Sequence, residues 1–424
     1  MKRPTIASLK KVTPENLAGL GADRLAEILV DIAATRPDLK RRLRMELAAR
    51  QGPEHLAAEI DKRLGSLETS GGKIGWRQRP AFVRDLDALR NLIAHSLAGL
   101  DMAAAVERLW RFMDVARPIG RRVKDREGAI AAVFAEAAAD LGRLIAGYDA
   151  MPAAGALVEA VERQPSAWAE WLPGLLRETS APIAQQALRL MSERGDALPT
   201  RASLIRQLAD AAGDVDAFRA SYSDEALTTP HVATEVGGRL LRVGRIDEAG
   251  RLLAGAAPRP SGRNGRLSAP DFDWESAWIA YLDQAGQAED AQAVRWASFE
   301  RTLSVERAKD FTQRLADFDD VEAEGRAFSH AAQHPDFARG LRFLMTWPAL
   351  PEAAQMILAR ADEVQADPQD AETWAARLRR RWPAAAQVLL RKVAAAAFRR
   401  REFMTCDRLT HEADSITVED EAAQ

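Results

Sequence analysis

GDVDAF at residues 213–218, GRIDEA at 244–249 and GQAEDA at 286–291 decide how this chain is read. In each, a glycine is followed five residues later by a small or apolar residue, Phe218, Ala249 or Ala291, that opens a further helix. A glycine placed this way ends one helix in a left-handed conformation or lets two helices approach, and the small residue lets the second helix cross the first closely. The glycines lie 31 and 42 residues apart, which brackets the period of about 34 expected of tetratricopeptide-type hairpins. The pattern predicts an all-α chain, an α-solenoid of antiparallel helix hairpins with tetratricopeptide-like character. The unit around Gly244 fits best, with Gly237 and Leu240 on its first helix and Ala249, Leu253 and Ala256 on its second. Arg401 to Cys406 repeats the spacing near the end of the chain, which makes Cys406 a small packing residue rather than a reactive thiol.

Outward from these turns the chain reads as helix after helix. Thr13-Pro14-Glu15 is a helix start, with a capping hydroxyl, a proline at the first helical position and an acid near the positive end of the dipole. Leu25, Ile28, Leu29 and Ile32 recur on one face, as do Leu86, Leu89, Ile93 and Leu97. Gly52-Pro53, Gly71-Gly72, Pro118, Pro152, Pro165, Pro173, Pro182, Pro199 and Pro230 each close or open a segment of helical length. Alternation of period two is not evident. Short connections then force sequential helices together as hairpins.

Three stretches read differently. Gly65 to Arg79 is glycine- and serine-rich, but it lacks the Gly-Lys-Ser/Thr ending and the preceding strand of a phosphate loop, so it reads as an ordinary connection. Pro258 to Pro270, with Arg259, Arg263 and Arg266, reads as a flexible insertion between two repeats, which accounts for the longer glycine spacing. Residues 415–424 read as an acidic disordered tail. The expected organisation is an N-terminal helical region over 1–148, a repeat array over 149–414 with the insertion at 258–270, and the tail.

Composition narrows the class. The chain has 424 residues, 47% hydrophobic and 29% charged, which is ordinary for a folded soluble protein. Its 59 basic and 62 acidic residues nearly cancel, so the whole chain lacks the footprint of a general nucleic-acid binder and local patches must carry any such role. One cysteine excludes an intrachain disulfide and metal sites built on cysteine pairs, and points to a reducing, cytoplasmic compartment. The basic N-terminus lacks the apolar run of a secretory signal, and no apolar window approaches the roughly 20 residues of a membrane span.

The segments GADRLAEIL from residue 21, WRQRPAFVRDLDALR from 76, LWRFMDVA from 109, DREGAIAAVFAEAAADLG from 125, WPALPEAAQMILARADE from 347 and RWPAAAQVLLRK from 381 resemble an uncharacterised family of all-helical bacterial proteins. That family is a domain of unknown function found mainly in alphaproteobacteria, and its N-terminal part is similar to helical regions that accompany SWIM zinc fingers. The resemblance implies no reaction, ligand or catalytic residue. The Cys-x-Cys and Cys-x-His ligands of the finger are absent from this sequence.

Candidate chemistry is sparse. His330 and His334 stand at i, i+4 in HAAQH, a spacing that aims two imidazoles to one side, but the residue after the first is Ala331 rather than the glutamate of a metalloprotease helix. They are weak metal candidates, and histidines in a last turn are favoured by the helix dipole alone. Acid pairs such as Asp319-Asp320 read as solvated faces, and no Gly-x-Ser-x-Gly elbow occurs. No cofactor and no enzymatic activity are expected. Three basic clusters stand out: Lys40, Arg41, Arg42 and Arg44; Arg117, Arg121, Arg122, Lys124 and Arg126; and Arg377, Arg379, Arg380 and Arg381 with Arg399, Arg400 and Arg401. Arginines commonly cover apolar stems and pair with nearby acids. On a repeat's inner face the third cluster would hold an acidic peptide or a phosphate backbone, with Trp374 or Trp382 stacking. The pairs Trp168/Trp171 and Trp274/Trp278 read as locks between hairpins.

The sequence thus predicts a cytoplasmic scaffold that binds a protein or peptide segment on a concave helical-repeat surface through Arg377, Arg380, Arg381, Trp382, Arg399 and Arg400. A nucleic-acid-associated accessory role for the arginine clusters is the alternative.

Overall fold

The structure is a computed structural model that describes residues 12–194, 199–258, 272–316 and 319–417. Among the described residues the regular elements are all helical, and none of these helices is long and apolar enough to cross a membrane. The chain forms two compact units, Met1–Ser223 and Asp224–Gln424.

In the first unit, helix Pro37–Gln51 packs on Pro53–Thr69, and Pro53–Thr69 packs on Met102–Asp114. Further along, Ala129–Ile145 packs on Pro165–Glu178, and Ala150–Arg163 packs on Ala181–Glu193. Leu56, Ile60 and Leu64, spaced by four, are fully buried on one helical stripe. The tryptophans lock neighbouring helices as expected: Trp168 is fully buried 5.9 Å from Trp110, and Trp171 stacks 5.5 Å from Phe134. Helix Ala129–Ile145 crosses Pro165–Glu178 at Gly142, where a Cβ would run into the Leu175 carbonyl oxygen. That close packing bridges residues 148 and 149, where a domain boundary is expected from the sequence, and the compact unit closes instead at Ser223.

Two further sequence expectations need correction here. Pro173 does not delimit a helix but lies inside Pro165–Glu178. A proline leaves the carbonyl four residues earlier without its helical donor. Gln207, on helix Pro199–Ala212, supplies the donor from outside, with Nε2 3.0 Å from the Ala169 oxygen. The connection expected from Gly65 begins later, because Pro53–Thr69 continues through Gly65. The irregular stretch that follows is tied to Arg122, whose carbonyl accepts from the Ile74 N–H and whose Nε donates to the Gly72 carbonyl.

In the second unit most helices pack on the next and several on the next but one, the contact pattern of stacked hairpins. Pro230–Arg242, Ile246–Gly255 and Phe272–Gln284 form such a trio, and Trp274 donates its indole N–H to the Leu253 carbonyl at 3.1 Å. Apart from Pro258, the insertion expected at 258–270 lies outside the described residues, and the helices on either side of it pack directly. A continuous core then runs from Phe299 to Ile416. Ile416 is 8% exposed, so Ser415 and Ile416 belong to packed structure rather than to a disordered tail; residues 418–424 lie outside the described residues.

The turns that decided the reading share one geometry. Gly213, Gly244 and Gly286 adopt φ of 71°, 75° and 75°. The next residue's N–H reaches back five positions, Asp214 to Ala209, Arg245 to Leu240 and Gln287 to Leu282, each at 2.9 Å. Phe218, Ala249 and Ala291 are buried. The fourth copy is complete as well: Arg401 takes φ 64° and the Glu402 N–H donates to Ala397 at 3.0 Å. Cys406 is half-buried against the core, in the packing role expected of it.

Candidate functional site

Helix Pro383–Arg399 divides the C-terminal arginines. Its 17 residues, at about 1.5 Å each, span roughly 25 Å. Arg377 and Arg379 to Arg381 precede its first turn, whereas Arg399 to Arg401 follow its last. The six residues singled out from sequence therefore fall at the two ends of one helix, roughly 25 Å apart.

Two of the six are committed to the fold. Arg377 donates from Nη1 to the Met345 carbonyl at 2.6 Å, satisfying an oxygen in the last turn of helix Phe337–Thr346. Trp382 is half-buried against the core. Arg380 and Arg381 are exposed at the turn into Pro383–Arg399.

The other end of that helix has a different character. The buried stripe Leu389, Leu390, Val393, Ala394 and Ala397 faces the core, and Phe398 falls beside it, 59% exposed. The left-handed Arg401 turns the chain back, so that Phe403 meets Phe398 edge to face at 5.8 Å between ring centres. Phe403 is 54% exposed and Met404 84%. Arg399, Arg400 and Arg401 stand exposed around them, and Arg400 has only a long approach of 4.0 Å to Glu402. Large exposed apolar side chains with arginines between them in the turn have the make-up of an interface hot spot. Phe398, Phe403 and Met404 were missed from sequence because they read as further packing residues of a repeat. The available signal was FRRREFM at 398–404, apolar residues flanking an arginine run at a hairpin turn.

The weak metal candidates are engaged locally. His330 sets Nε2 3.0 Å from the Glu300 carbonyl oxygen, and His334 accepts the Asp336 N–H on Nδ1 at 3.1 Å. Among the described residues no three His, Cys, Asp or Glu side chains converge on a point that could hold a metal ion.

In the first basic cluster, Arg41 and Arg42 line a cleft of about 590 Å³ together with Arg63 and Arg84. In the second, Arg122 is bound to the Gly72 carbonyl and Arg117 lies beside a smaller hollow that Trp171 lines.

Comparison with known proteins places these features in a family context. The model of a family of unknown function, DUF6880, matches residues 7–195 and 180–416. No match was found among curated proteins. Among solved structures the chain is similar to a "circular tandem repeat protein with novel repeat topology and enhanced subunit contact surfaces", at 15% identity over 91% of this chain and 93% of that one. The TM-score is 0.25, so this likeness carries no argument beyond the helices already described.

Proposed function

We propose that the chain, which belongs to the family of unknown function DUF6880, is a non-enzymatic scaffold whose Phe398–Met404 turn captures an acidic, amphipathic protein segment. One observation carries this reading: the exposed edge-to-face pair of Phe398 and Phe403, followed in the chain by exposed Met404 and joined through the exposed Arg399, Arg400 and Arg401. Burying a side chain such as Phe is worth about 1.5–3 kcal/mol, whereas exposed arginines steer and orient a partner more than they tighten it. The occupant that suits both parts is a helix with leucine or phenylalanine on one face and Asp or Glu beside it. The same reading places the chain among bacterial proteins related to helical regions that accompany SWIM zinc fingers, acting in a reducing cytoplasm.

The test is a fluorescence-anisotropy titration of the full chain with a labelled peptide of that pattern and with its Lys-substituted counterpart. The acidic peptide is expected to bind and the basic one not. Changing Phe398 and Phe403 together to Ser is expected to weaken binding at least tenfold while leaving the circular dichroism spectrum unchanged. Equal binding of both peptides, or no loss in the double variant, would overturn the reading.

A nucleic-acid-associated role is favoured by Arg379, Arg380, Arg381 and Arg399, which are exposed with no acidic partner among the described residues. Phosphate-backbone binding falls steeply with salt because counterions are released. A steep salt slope for single-stranded DNA, lowered by Arg380→Gln and Arg381→Gln and indifferent to the Phe changes, would select that role.

A further inference from the structure

The first unit holds a second candidate site, far in sequence from the Phe398 turn and independent of it. Helix Pro37–Gln51 contributes Arg41 and Arg42, Pro53–Thr69 contributes Arg63, and Arg79–Asn91 contributes Arg84 and Asp85. Their side chains line the cleft of about 590 Å³, a volume within the usual range for small-molecule pockets. Arg79–Asn91 does not end at the cleft but passes into a π-helical turn, Leu92–Leu97, that brings exposed His95 and Ser96 to it. Wider turns of this kind are frequent at functional sites.

Arg41, Arg42, Arg63 and Arg84 face Glu46, Asp85 and Asp87 across the lining, an excess of one positive charge. Arg41 and Arg63 share a single carboxylate, Asp85, with Arg41 at 3.2 Å and Arg63 in direct contact. Arg42 and Arg84 have no acidic partner among the described residues. Of the other acids present, Asp87 is already held by Arg90 and Asn91, and Glu46 is exposed. The Nε–H groups of Arg41 and Arg63 are buried with no acceptor among the described residues. Burial holds the Arg63 guanidinium below its ordinary pKa; Asp85 opposes that shift, while Arg41 and Arg122 add to it.

We infer that this cleft binds an organic phosphate, with the phosphoryl oxygens taken by the exposed guanidinium groups of Arg42 and Arg84. Guanidinium groups match phosphate oxygens in geometry and charge. The site is larger than a free phosphate ion needs, and Met45, Leu89 and Leu92 offer an apolar wall for the rest of the molecule. His95 and Ser96 add polar groups that would orient it.

The inference is tested by isothermal titration of the full chain with AMP and with inorganic phosphate, sodium chloride held constant. AMP is expected to bind more tightly than about 1 mM and inorganic phosphate more weakly, competing for the same site. Arg42→Gln with Arg84→Gln, which alters exposed and unpaired groups, is expected to lower AMP affinity at least tenfold with an unchanged melting temperature. Arg63→Gln should lower it further, but it also leaves Asp85 with one partner fewer, so the exposed pair decides the outcome. Absence of AMP binding at that level, or unchanged binding in the double variant, would overturn the site. Equal affinity for AMP and inorganic phosphate would overturn its assignment to an organic ligand.

Discussion

Arg295, with 1% of its side chain exposed, sets its Nε 2.6 Å from Asp310 Oδ2 while its Nη2 contacts Asp283. One guanidinium on helix Ala288–Thr302 thereby joins the helix before it, Phe272–Gln284, to the helix after it, Val305–Thr312. It acts as a clamp across three consecutive helices of the second unit. Removing one member of a buried pair is far more damaging than never having had the pair. Arg295→Met is expected to destabilise by about 3 kcal/mol, measured by urea unfolding, whereas changing Asp283 to Asn should cost distinctly less because Asp310 remains.

The same clamp predicts a response to acid. Burial tends to raise the Asp310 carboxyl, but the hydrogen bond and charge of Arg295, with Arg314 alongside, outweigh it and hold the group below its ordinary value. A carboxyl depressed in the folded state contributes stability that is complete above its unfolded pKa, near 3.8, and is lost as pH falls through the folded value. Melting temperature against pH should therefore drop below about pH 4, and Asp310→Asn should flatten that limb while lowering stability at neutral pH.

Arg401 occupies a slot that three other turns fill with glycine, and the left-handed backbone strains a residue with a Cβ. Arg401→Gly is expected to stabilise the chain by about 0.5–1 kcal/mol, the relief of strain exceeding glycine's extra chain entropy. Gly244→Ala should do the reverse. Denaturant midpoints of the two variants check the pair of signs. A neutral Arg401→Gly would mean that its arginine side chain contributes contacts that offset the strain.

Gln207 and Pro173 are expected to be coupled. Gln207→Ala should cost about 1 kcal/mol because the Ala169 carbonyl loses its donor. In a Pro173→Ala background the restored backbone N–H serves that carbonyl, so the same change should cost much less. A double-mutant cycle measures the difference.

How much of this was legible follows from the range of each interaction. The glycine turns could be read because the left-handed residue, the backbone bond and the small packing residue all lie within a few positions of one another, as in GRIDEA. The same locality made Arg401 visible as a fourth copy. The continuation of a helix through Pro173 was not legible, since its compensation comes from Gln207 on another helix. The C-terminal arginines were merged because their composition was read without the helix between them. The cleft escaped notice for the opposite reason: Arg41, Arg63 and Arg84 are scattered in sequence, on three helices that the contacts of Arg41 and Arg63 with Asp85 bring to one cleft. Phe398 and Phe403 have the residue types of a core, and only their exposure marks them as a surface.

The most direct measurement of the central claim is a methyl NMR titration of the full chain carrying 13C-methyl methionine, with the Met404 signal assigned through Met404→Leu. Met404 is 84% exposed at the turn, whereas Met345 and Met113 are fully buried. Adding the acidic amphipathic peptide is predicted to shift and broaden the Met404 resonance in a saturable way, with the buried methionines unmoved and the Lys-substituted peptide without effect. A Met404 signal that stays in place while the peptide binds would contradict capture at the Phe398–Met404 turn.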